Sequence, residues 1–149
     1  PYLWRFWNKL LDEETISIFD RSWYGRVLVE RVEGFASDVQ WKRAYEEINR
    51  FEKDLSDTNT VVVKFWLAIS KDEQEARFKA RELTPHKRFK ITTEDWRNRG
   101  RWDDYLNAAA DMLQRTDTEY APWNVIATND KYSARIQVLK ALLKQLKVD

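Results

Sequence analysis

The stretch TISIFDRSWYGR, residues 15–26, decides the fold of this chain. Its apolar first half predicts a short buried strand over residues 16–19. Asp20 and Arg21 follow directly at the carboxyl end of that strand. Because open α/β sheets bind their ligands at the carboxyl ends of the strands, this acid and base form a candidate ligand site.

A carboxylate in that place can hold Mg²⁺ through its oxygens, and a neighbouring guanidinium can take two phosphate oxygens at once. Such a pair is the Walker B half of the phosphate site in P-loop phosphotransferases. An Asp at the end of a strand also commonly caps the helix that follows. From these residues alone, both interpretations of Asp20 remain open.

The Walker A half of such a site is missing from the 149 residues. That loop needs glycines followed by Lys and then Ser or Thr. The three glycines are Gly25, Gly34 and Gly100, and none precedes Lys-Ser or Lys-Thr. The chain also opens with the aromatic run PYLWRFW and no initiator Met. We therefore interpret it as the carboxyl-terminal part of a nucleotide-handling domain, and expect it to be inactive alone.

The composition predicts a single domain over residues 1–149. The chain has 43% hydrophobic residues and eight Trp, which is enough apolar material for a core. No run approaches the ~20 apolar residues that a membrane span needs. The chain has no Cys, and the resulting lack of disulfides and thiolate metal sites suits a cytoplasmic protein.

The net charge of +1 hides a basic segment at residues 77–101. This segment has nine basic and three acidic residues, a net charge of +6, and the remainder of the chain stands at −5. Concentrated positive charge is typical of a surface that binds a polyanion. Because its only aromatic side chains besides Phe78 are Phe89 and Trp96 and no recognition motif surrounds them, phosphate chains fit better than nucleic acid. A solvated basic loop without function remains the alternative.

A proline and a glycine shape the same segment. Pro85 breaks it, and Gly100 loosens its end. Like charges repel one another there until a polyanion binds. We therefore predict a mobile basic lid at about residues 84–100, between two helices and not itself a packed element.

Helical periodicity predicts much of the remaining scaffold. A capping box of Ser37 with Gln40 begins one helix, and Ser70 with Glu73 begins another that ends near Leu83. Apolar stripes that we expect in the core follow at helical spacing. They are Trp41, Tyr45, Ile48, Phe51 and Leu55; Trp102, Tyr105, Ala109 and Met112; and Ile136, Leu139, Leu142, Leu143 and Leu146.

Two further strands alternate with these helices. Residues 60–69 (TVVVKFWLAI) are β-branched and nearly continuously apolar, as in a strand buried on both faces. Pro122 precedes a third strand at residues 124–128, and the final helix begins near Asp130. Strands separated by helices predict a parallel sheet with right-handed crossovers, and therefore an α/β fold.

The chain resembles the type-2 polyphosphate kinase family over nearly its whole length. The matching blocks are YLWRFW, IFDRSWYGRVLVERVEGF, KFWLAIS, EQEARFKARE, WDDY and APWNVIATNDKYSAR. The second block is long and specific. Its run GRVLVER is most similar to the tandem-domain branch of the family that phosphorylates AMP.

The resemblance implies a fold and an activity. The fold is a P-loop kinase-like three-layer sandwich with a parallel sheet and a basic helical lid, here without the amino-terminal strand and phosphate loop. The partial domain would have its core at residues 1–83 and 101–149 and its lid at about 84–100. The implied activity is phosphoryl transfer between inorganic polyphosphate and a nucleotide. Among such reactions the resemblance points to the conversion of AMP to ADP, with Mg²⁺ as cofactor.

On the acceptor side, the resemblance implies that Asp20 ligates Mg²⁺ at the transferred phosphate. Arg21 and Arg26 would hold the phosphate of the acceptor nucleotide. Gly25 stands where ADP-using members of the family tend to carry Asn, so AMP is expected to be the better acceptor.

On the donor side, the resemblance implies that Arg81 neutralises charge on the transferring group, as phosphoryl transfer demands. With Asp20 and Arg21 it would complete the catalytic residues. Lys87, Arg88 and Lys90 would line the path of the polyphosphate chain. Residues 129–130 would either contact a base or cap the final helix.

Two other functions remain open. An ATP-dependent P-loop nucleotide kinase would use the same acid and base, and only an assay of polyphosphate against ATP separates the two. A non-catalytic domain of a tandem protein is the third possibility, although the intact Asp20, Arg21, Arg26 and Arg81 argue against it. For the leading function we expect a homo-oligomer whose partners are polyphosphate and AMP or ADP, without nucleic acid or membrane.

Overall fold

The computed structural model describes residues 2–10 and 15–147. The elements of this part, in chain order, are α1 (Trp4–Trp7), α2 (Val29–Val32), α3 (Asp38–Asp57), β1 (Lys64–Ala68), α4 (Lys71–Leu83), α5 (Thr93–Gly100), α6 (Trp102–Thr116), β2 (Trp123–Ala127) and α7 (Lys131–Leu146). Two 3₁₀ helices, Trp23–Arg26 and Pro85–Lys90, lie before α2 and before α5. Within these residues, no helix combines the length and the apolar character needed to cross a membrane.

The chain divides into two compact units. The first comprises Pro1–Val62 and Asp104–Ala121, and the second comprises Val63–Asp103 and Pro122–Asp149. The first unit therefore contains α1, α2, α3 and most of α6, and the second contains both strands with α4, α5 and α7.

The core of the first unit is built on α3. Ser37 begins this helix as predicted, because its hydroxyl accepts a hydrogen bond from the Gln40 amide while the Gln40 side chain accepts one from the Ser37 amide. Four of the five residues of the predicted stripe are buried, namely Tyr45, Ile48, Phe51 and Leu55, and Trp41 is half-buried. The stripe of α6 contributes Ala109 and Met112 to the buried residues of the same unit.

The sheet of the second unit is parallel, as predicted. β1 pairs with β2 in register from Lys64 opposite Trp123 to Ala68 opposite Ala127. The strand expected over residues 60–69 is therefore shorter, since β1 covers only Lys64–Ala68. The strand expected over residues 124–128 is β2, displaced by one residue. A parallel sheet with helical crossovers confirms the α/β class.

The prediction that β1 is buried on both faces is wrong. Leu67 in β1 is 55% exposed, Val125 in β2 is 57% exposed, and Val61 before the sheet is 56% exposed. An apolar run shows that a strand can be buried, but burial also needs a covering layer. The described residues do not supply that layer over these side chains.

The strand predicted over residues 16–19 is also wrong. Residues 15–19 belong to no strand, and Ile16 and Ile18 are 78% and 90% exposed. An extended segment becomes a strand only when a neighbouring chain completes its hydrogen bonds. In the described part of the chain the sheet consists of β1 and β2, and neither pairs with this segment.

The lid predicted at about residues 84–100 is helical, as the resemblance implied. It contains the 3₁₀ helix Pro85–Lys90, where every residue is exposed, followed by α5. A capping box begins α5, because the Thr92 hydroxyl accepts from the Asp95 amide and the Asp95 carboxylate accepts from the Thr92 amide. This box is a sequence signal for α5 that the prediction of an unpacked segment did not use.

The second half of the lid is packed, which corrects the prediction of an unpacked segment. The Trp96 ring of α5 meets Phe78 of α4 edge to face, with centroids 5.2 Å apart. The Trp96 indole also donates a hydrogen bond to Glu82, and Arg99 donates one to the carbonyl of Lys71. Aromatic contacts of this kind hold a helix in place.

The start of α7 confirms one of the two roles open for residues 129–130, the capping of the helix, and the contact with a base stays a prediction. The Asp130 carboxylate accepts hydrogen bonds from the Tyr132 and Ser133 amides, both at 2.9 Å, and so caps the helix. The Asn129 side chain accepts from the Ser70 amide. Both side chains therefore brace the loops after β1 and β2.

The prediction that the apolar stripe of α7 lies in the core is wrong. Four of its residues are exposed by about 40–60%: Ile136, Leu139, Leu143 and Leu146. The pattern correctly marks one apolar face of the helix. It does not show what covers that face, and the described residues leave it open.

Candidate functional site

Asp20 and Arg21 lie on an exposed bend before the first 3₁₀ helix. Arg21 has a φ of 61°, in the left-handed region that a non-glycine residue adopts at a cost of order 1–3 kcal/mol. Neither side chain forms a hydrogen bond or ion pair within residues 2–10 and 15–147. Ser22 occupies the cap position of the 3₁₀ helix, and no side chain caps it. The capping role considered for Asp20 is therefore wrong.

The 3₁₀ helix Trp23–Arg26 is held from beneath by buried aromatic rings. Trp23 and Tyr24 are 6% and 4% exposed. The Trp23 ring contacts Phe51 of α3 at 5.1 Å between centroids and Phe19 at 5.4 Å. The bend that carries the acid–base pair is thus exposed at its side chains and anchored through the residues that follow.

Gly25 is not required by the backbone conformation of this helix. A Cβ atom placed there would meet the Tyr2 hydroxyl at 3.5 Å and Val29 Cγ1 at 3.9 Å, which are ordinary contacts. Its φ lies outside the left-handed region. A side chain therefore fits at position 25, and its absence leaves space beside the bend.

Arg26 has two partners within the first unit. Its Nη1 lies 3.0 Å from Glu30 Oε2, and its guanidinium lies 4.1 Å from the centroid of the Tyr2 ring. Arg5 binds the other Glu30 oxygen at 3.1 Å and lies over the same ring at 4.2 Å. A guanidinium has five N–H donors, so Arg26 keeps donors for another ligand.

A cavity of about 550 Å³ lies in the first unit next to these groups. Arg26 and Tyr2 form part of its wall, together with Trp7, Arg43 and Phe51. Its volume is within the range of small-molecule sites. Aromatic rings and charged groups therefore share one concave surface at Arg26.

The donor-side residues predicted from sequence lie in the second unit. Arg81 is half-buried on α4, and its side chain has no partner in the described residues. On the 3₁₀ helix that follows, Arg88 donates to the Glu82 carbonyl at 2.7 Å. Lys90 lies 5.7 Å from the Phe89 ring centroid, whereas Lys87 has no side-chain partner among the described residues.

The structure brings the predicted residues together in two groups. Asp20, Arg21, Gly25 and Arg26 lie within seven residues of the first unit, and Arg81 precedes the lid residues directly in the second. The convergence of the two groups on one phosphate chain stays a prediction.

Sequence reasoning missed Glu52, a buried acid that binds two of the residues between Arg21 and Gly25. Its Oε1 accepts hydrogen bonds from the Trp23 indole at 2.9 Å and from the Tyr24 hydroxyl at 2.8 Å. One signal was available, because position 52 lies at helical spacing from Ile48 and Leu55 on the apolar face of α3. An acid on such a face indicates a buried polar contact.

Comparison with solved structures defines the class of protein. The chain is similar to the crystal structure of polyphosphate kinase 2 from Arthrobacter aurescens TC1, with a TM-score of 0.94 and 41% sequence identity. The match covers 99% of this chain and 52% of the Arthrobacter chain. At this level of likeness the chain is an α/β protein with the P-loop kinase-like fold.

The family follows from the sequence match. The sequence model of the family "Polyphosphate kinase 2 (PPK2)" matches residues 1–149 of this chain. The chain belongs to this family, as its resemblance implied.

Two curated relatives extend the comparison. The chain is 74% identical to a polyphosphate:AMP phosphotransferase of Acinetobacter johnsonii over all 149 residues, which are 31% of that protein. It is 58% identical over 142 residues, 95% of the chain, to a polyphosphate:AMP phosphotransferase of Pseudomonas aeruginosa, of which it covers 29%. The chain thus spans about a third of the length of these relatives.

Proposed function

We propose that the complete protein containing this chain is a polyphosphate-dependent phosphotransferase that converts AMP to ADP. The observation that carries the proposal is the exposed pair Asp20 and Arg21, which has no protein partner among the described residues and follows an anchored turn. A free carboxylate beside a free guanidinium suits a phosphate and its metal ion. The names of the two curated relatives support polyphosphate and AMP as the substrates.

The residues at this bend fit Mg²⁺. In phosphate-transfer sites this ion takes one or two carboxylates, substrate phosphates and water. Asp20 supplies one exposed carboxylate, and among the described residues no group of three or more His, Cys, Asp or Glu could hold an ion without a substrate. The bound ion would withdraw charge from the transferred phosphoryl group.

The acceptor phosphate is proposed to bind between Arg21 and Arg26. Arg21 can offer two parallel N–H donors, because its guanidinium is not used elsewhere in the described chain. Arg26 is oriented by Glu30 and Tyr2, so one guanidinium is already positioned before the nucleotide arrives. Gly25 has no side chain that could hydrogen-bond a second phosphate, which favours AMP over ADP as the acceptor.

The donor is proposed to be bound by the basic lid. Arg81 has no competing anion among the described residues, and Lys87 and Lys90 are exposed. These cations, with Arg88, would neutralise the charge of a polyphosphate chain and of the transferring group. We also propose that the protein acts in the cytoplasm as a homo-oligomer and binds neither nucleic acid nor membrane.

The test is a two-by-two assay of the complete protein, with polyphosphate or ATP as donor and AMP or ADP as acceptor, in the presence of Mg²⁺. Polyphosphate with AMP should give the highest kcat/KM, and the 149-residue chain alone should give no turnover. A faster reaction with ATP would establish an ATP-dependent nucleotide kinase instead. The absence of turnover with all four pairs would establish a non-catalytic domain.

A further inference from the structure

Glu52 is an acid on the core face of α3. Its side chain is fully buried, at 0% exposure, and Ile48 and Leu55 of the same face are buried beside it. A carboxylate is costly to bury unless hydrogen bonds compensate for the lost water. The donors that satisfy it therefore indicate what it does in the fold.

Two hydrogen-bond donors to Glu52 come from the turn that follows the acid–base pair. The Trp23 indole and the Tyr24 hydroxyl donate to the same oxygen, Oε1, at 2.9 and 2.8 Å. Burial and the neighbouring Glu52 raise the pKa of the Tyr24 hydroxyl far above its usual value, so it remains a donor. One oxygen thus holds two consecutive residues.

These two residues connect the proposed phosphate ligands. Trp23 and Tyr24 lie between Arg21 and Arg26 in sequence, and both of their side chains are buried. Because Asp20 and Arg21 have no side-chain partners in the described chain, their position depends on this backbone. Rotation or sliding of the 3₁₀ helix would break at least one of the two hydrogen bonds to Glu52.

We propose that Glu52 is a positioning residue for phosphoryl transfer, which holds the bend of Asp20 and Arg21 in the geometry that the acceptor phosphate requires. The inference rests on the proposed function, because it assigns Glu52 to the same site. Glu52 acts through Trp23 and Tyr24 and touches no substrate.

The decisive variant is Glu52→Met in the complete protein. Met has nearly the same length but accepts these hydrogen bonds poorly, so the Trp23 indole and the Tyr24 hydroxyl lose their hydrogen bonds to position 52 and the bend shifts. We expect kcat/KM for AMP to fall about 100-fold, because a displacement of about 1 Å at a reacting group has that effect. Glu46→Met is the matched control, since Glu46 is exposed on the same helix and has no partner among the described residues.

Three measurements separate positioning from a purely structural role. The AMP dissociation constant, measured by calorimetry without polyphosphate, should rise in Glu52→Met, whereas the KM for polyphosphate should stay within about twofold. Glu52→Gln, which keeps the accepting oxygen, should restore kcat/KM to within about fivefold of the wild type. In NMR spectra, the chemical shift of the Trp23 indole proton should change in Glu52→Met and not in Glu52→Gln.

A lower kcat with unchanged KM for both substrates and a lower melting temperature would show loss of folded enzyme, and would overturn the proposal. If Glu52→Met does not fold, Tyr24→Phe decides, because it removes one donor and keeps the ring. We expect about a tenfold loss of kcat/KM for AMP in that variant, and wild-type values would refute the positioning role. A wild-type protein inert towards polyphosphate and AMP would instead refute the proposed function.

Discussion

The two 3₁₀ helices described in this chain both carry basic residues proposed to bind phosphate, and they differ in how deeply their side chains are buried. Trp23–Arg26 has two buried aromatic residues whose polar atoms are bound to one carboxylate. Pro85–Lys90 has no buried residue, and all six of its residues are exposed.

This difference matches two kinds of ligand. A nucleoside monophosphate has one phosphate, whose position must be set within a fraction of an ångström for transfer. The residues that bind it therefore need a fixed backbone. A polyphosphate chain is repetitive and highly charged, so cations on a loosely held segment can bind it in many registers. The comparison therefore predicts that changes in the fixed turn alter the rate, and that changes in the exposed helix alter the affinity.

The largest effect is expected at the fixed turn. Asp20→Asn keeps the shape of the side chain and removes the charge for the metal ion, so kcat in the complete protein should fall about 1,000-fold. Arg21→Lys should lower kcat/KM for AMP about 100-fold, because an ammonium cannot make the paired contact of a guanidinium. Steady-state kinetics with saturating polyphosphate measure both.

The control for this prediction is Asp72→Asn, an exposed acid in α4 with no partner among the described residues. It should leave kcat unchanged. An unfolded Asp20→Asn variant, or one with wild-type kcat, would contradict the catalytic assignment.

A smaller effect is expected at the exposed helix. Replacing Lys87, Arg88 and Lys90 together by Gln should raise the KM for polyphosphate about tenfold at low salt. In this variant the affinity for polyphosphate should also decrease less steeply as ionic strength rises, while kcat changes little. Replacing Lys131, Lys140 and Lys144 of α7 by Gln removes the same charge and should leave the KM unchanged.

Limited proteolysis tests the difference between the two 3₁₀ helices without an activity measurement. Trypsin should cleave first within residues 85–90, and polyphosphate should protect these bonds. First cleavage in α5 or near Arg26, unaffected by polyphosphate, would remove the distinction between the two helices.

The smallest effect is expected at Gly25. Gly25→Asn fits sterically, because the added Cβ makes ordinary contacts with Tyr2 and Val29. One or two new hydrogen bonds of about 1 kcal/mol each should shift the preference toward ADP by about fivefold to thirtyfold. Kinetics with AMP and ADP at fixed polyphosphate measure the ratio, and a wild type that already prefers ADP would show that the assignment to the AMP-using branch is wrong.

Local signals in the sequence predicted local structure well. The capping residues Ser37, Ser70 and Asp130 each begin a helix as expected, because a cap involves only residues within one turn. The acid–base pair at Asp20 and Arg21 was also visible, because it directly follows an apolar run.

Properties that depend on distant residues were not predictable in this way. Residues 16–19 have the composition of a strand, yet a strand exists only beside a partner. The α7 stripe shows which face is apolar but not what covers it. Glu52 resembles the many surface acids of α3 until its place on the buried face is recognised.

The parallel register of β1 and β2 has a consequence for how the chain is made. Asn124 of β2 and Lys64 of β1 are joined by a hydrogen bond across 60 positions. The intervening sequence includes Asp104–Ala121, which completes the first unit, so the two units are interleaved along the chain. The first unit therefore cannot finish folding until residue 121 has been made, after part of the second unit has emerged from the ribosome. We expect slow, late acquisition of structure, with the nascent chain relying on chaperones until α7 has emerged.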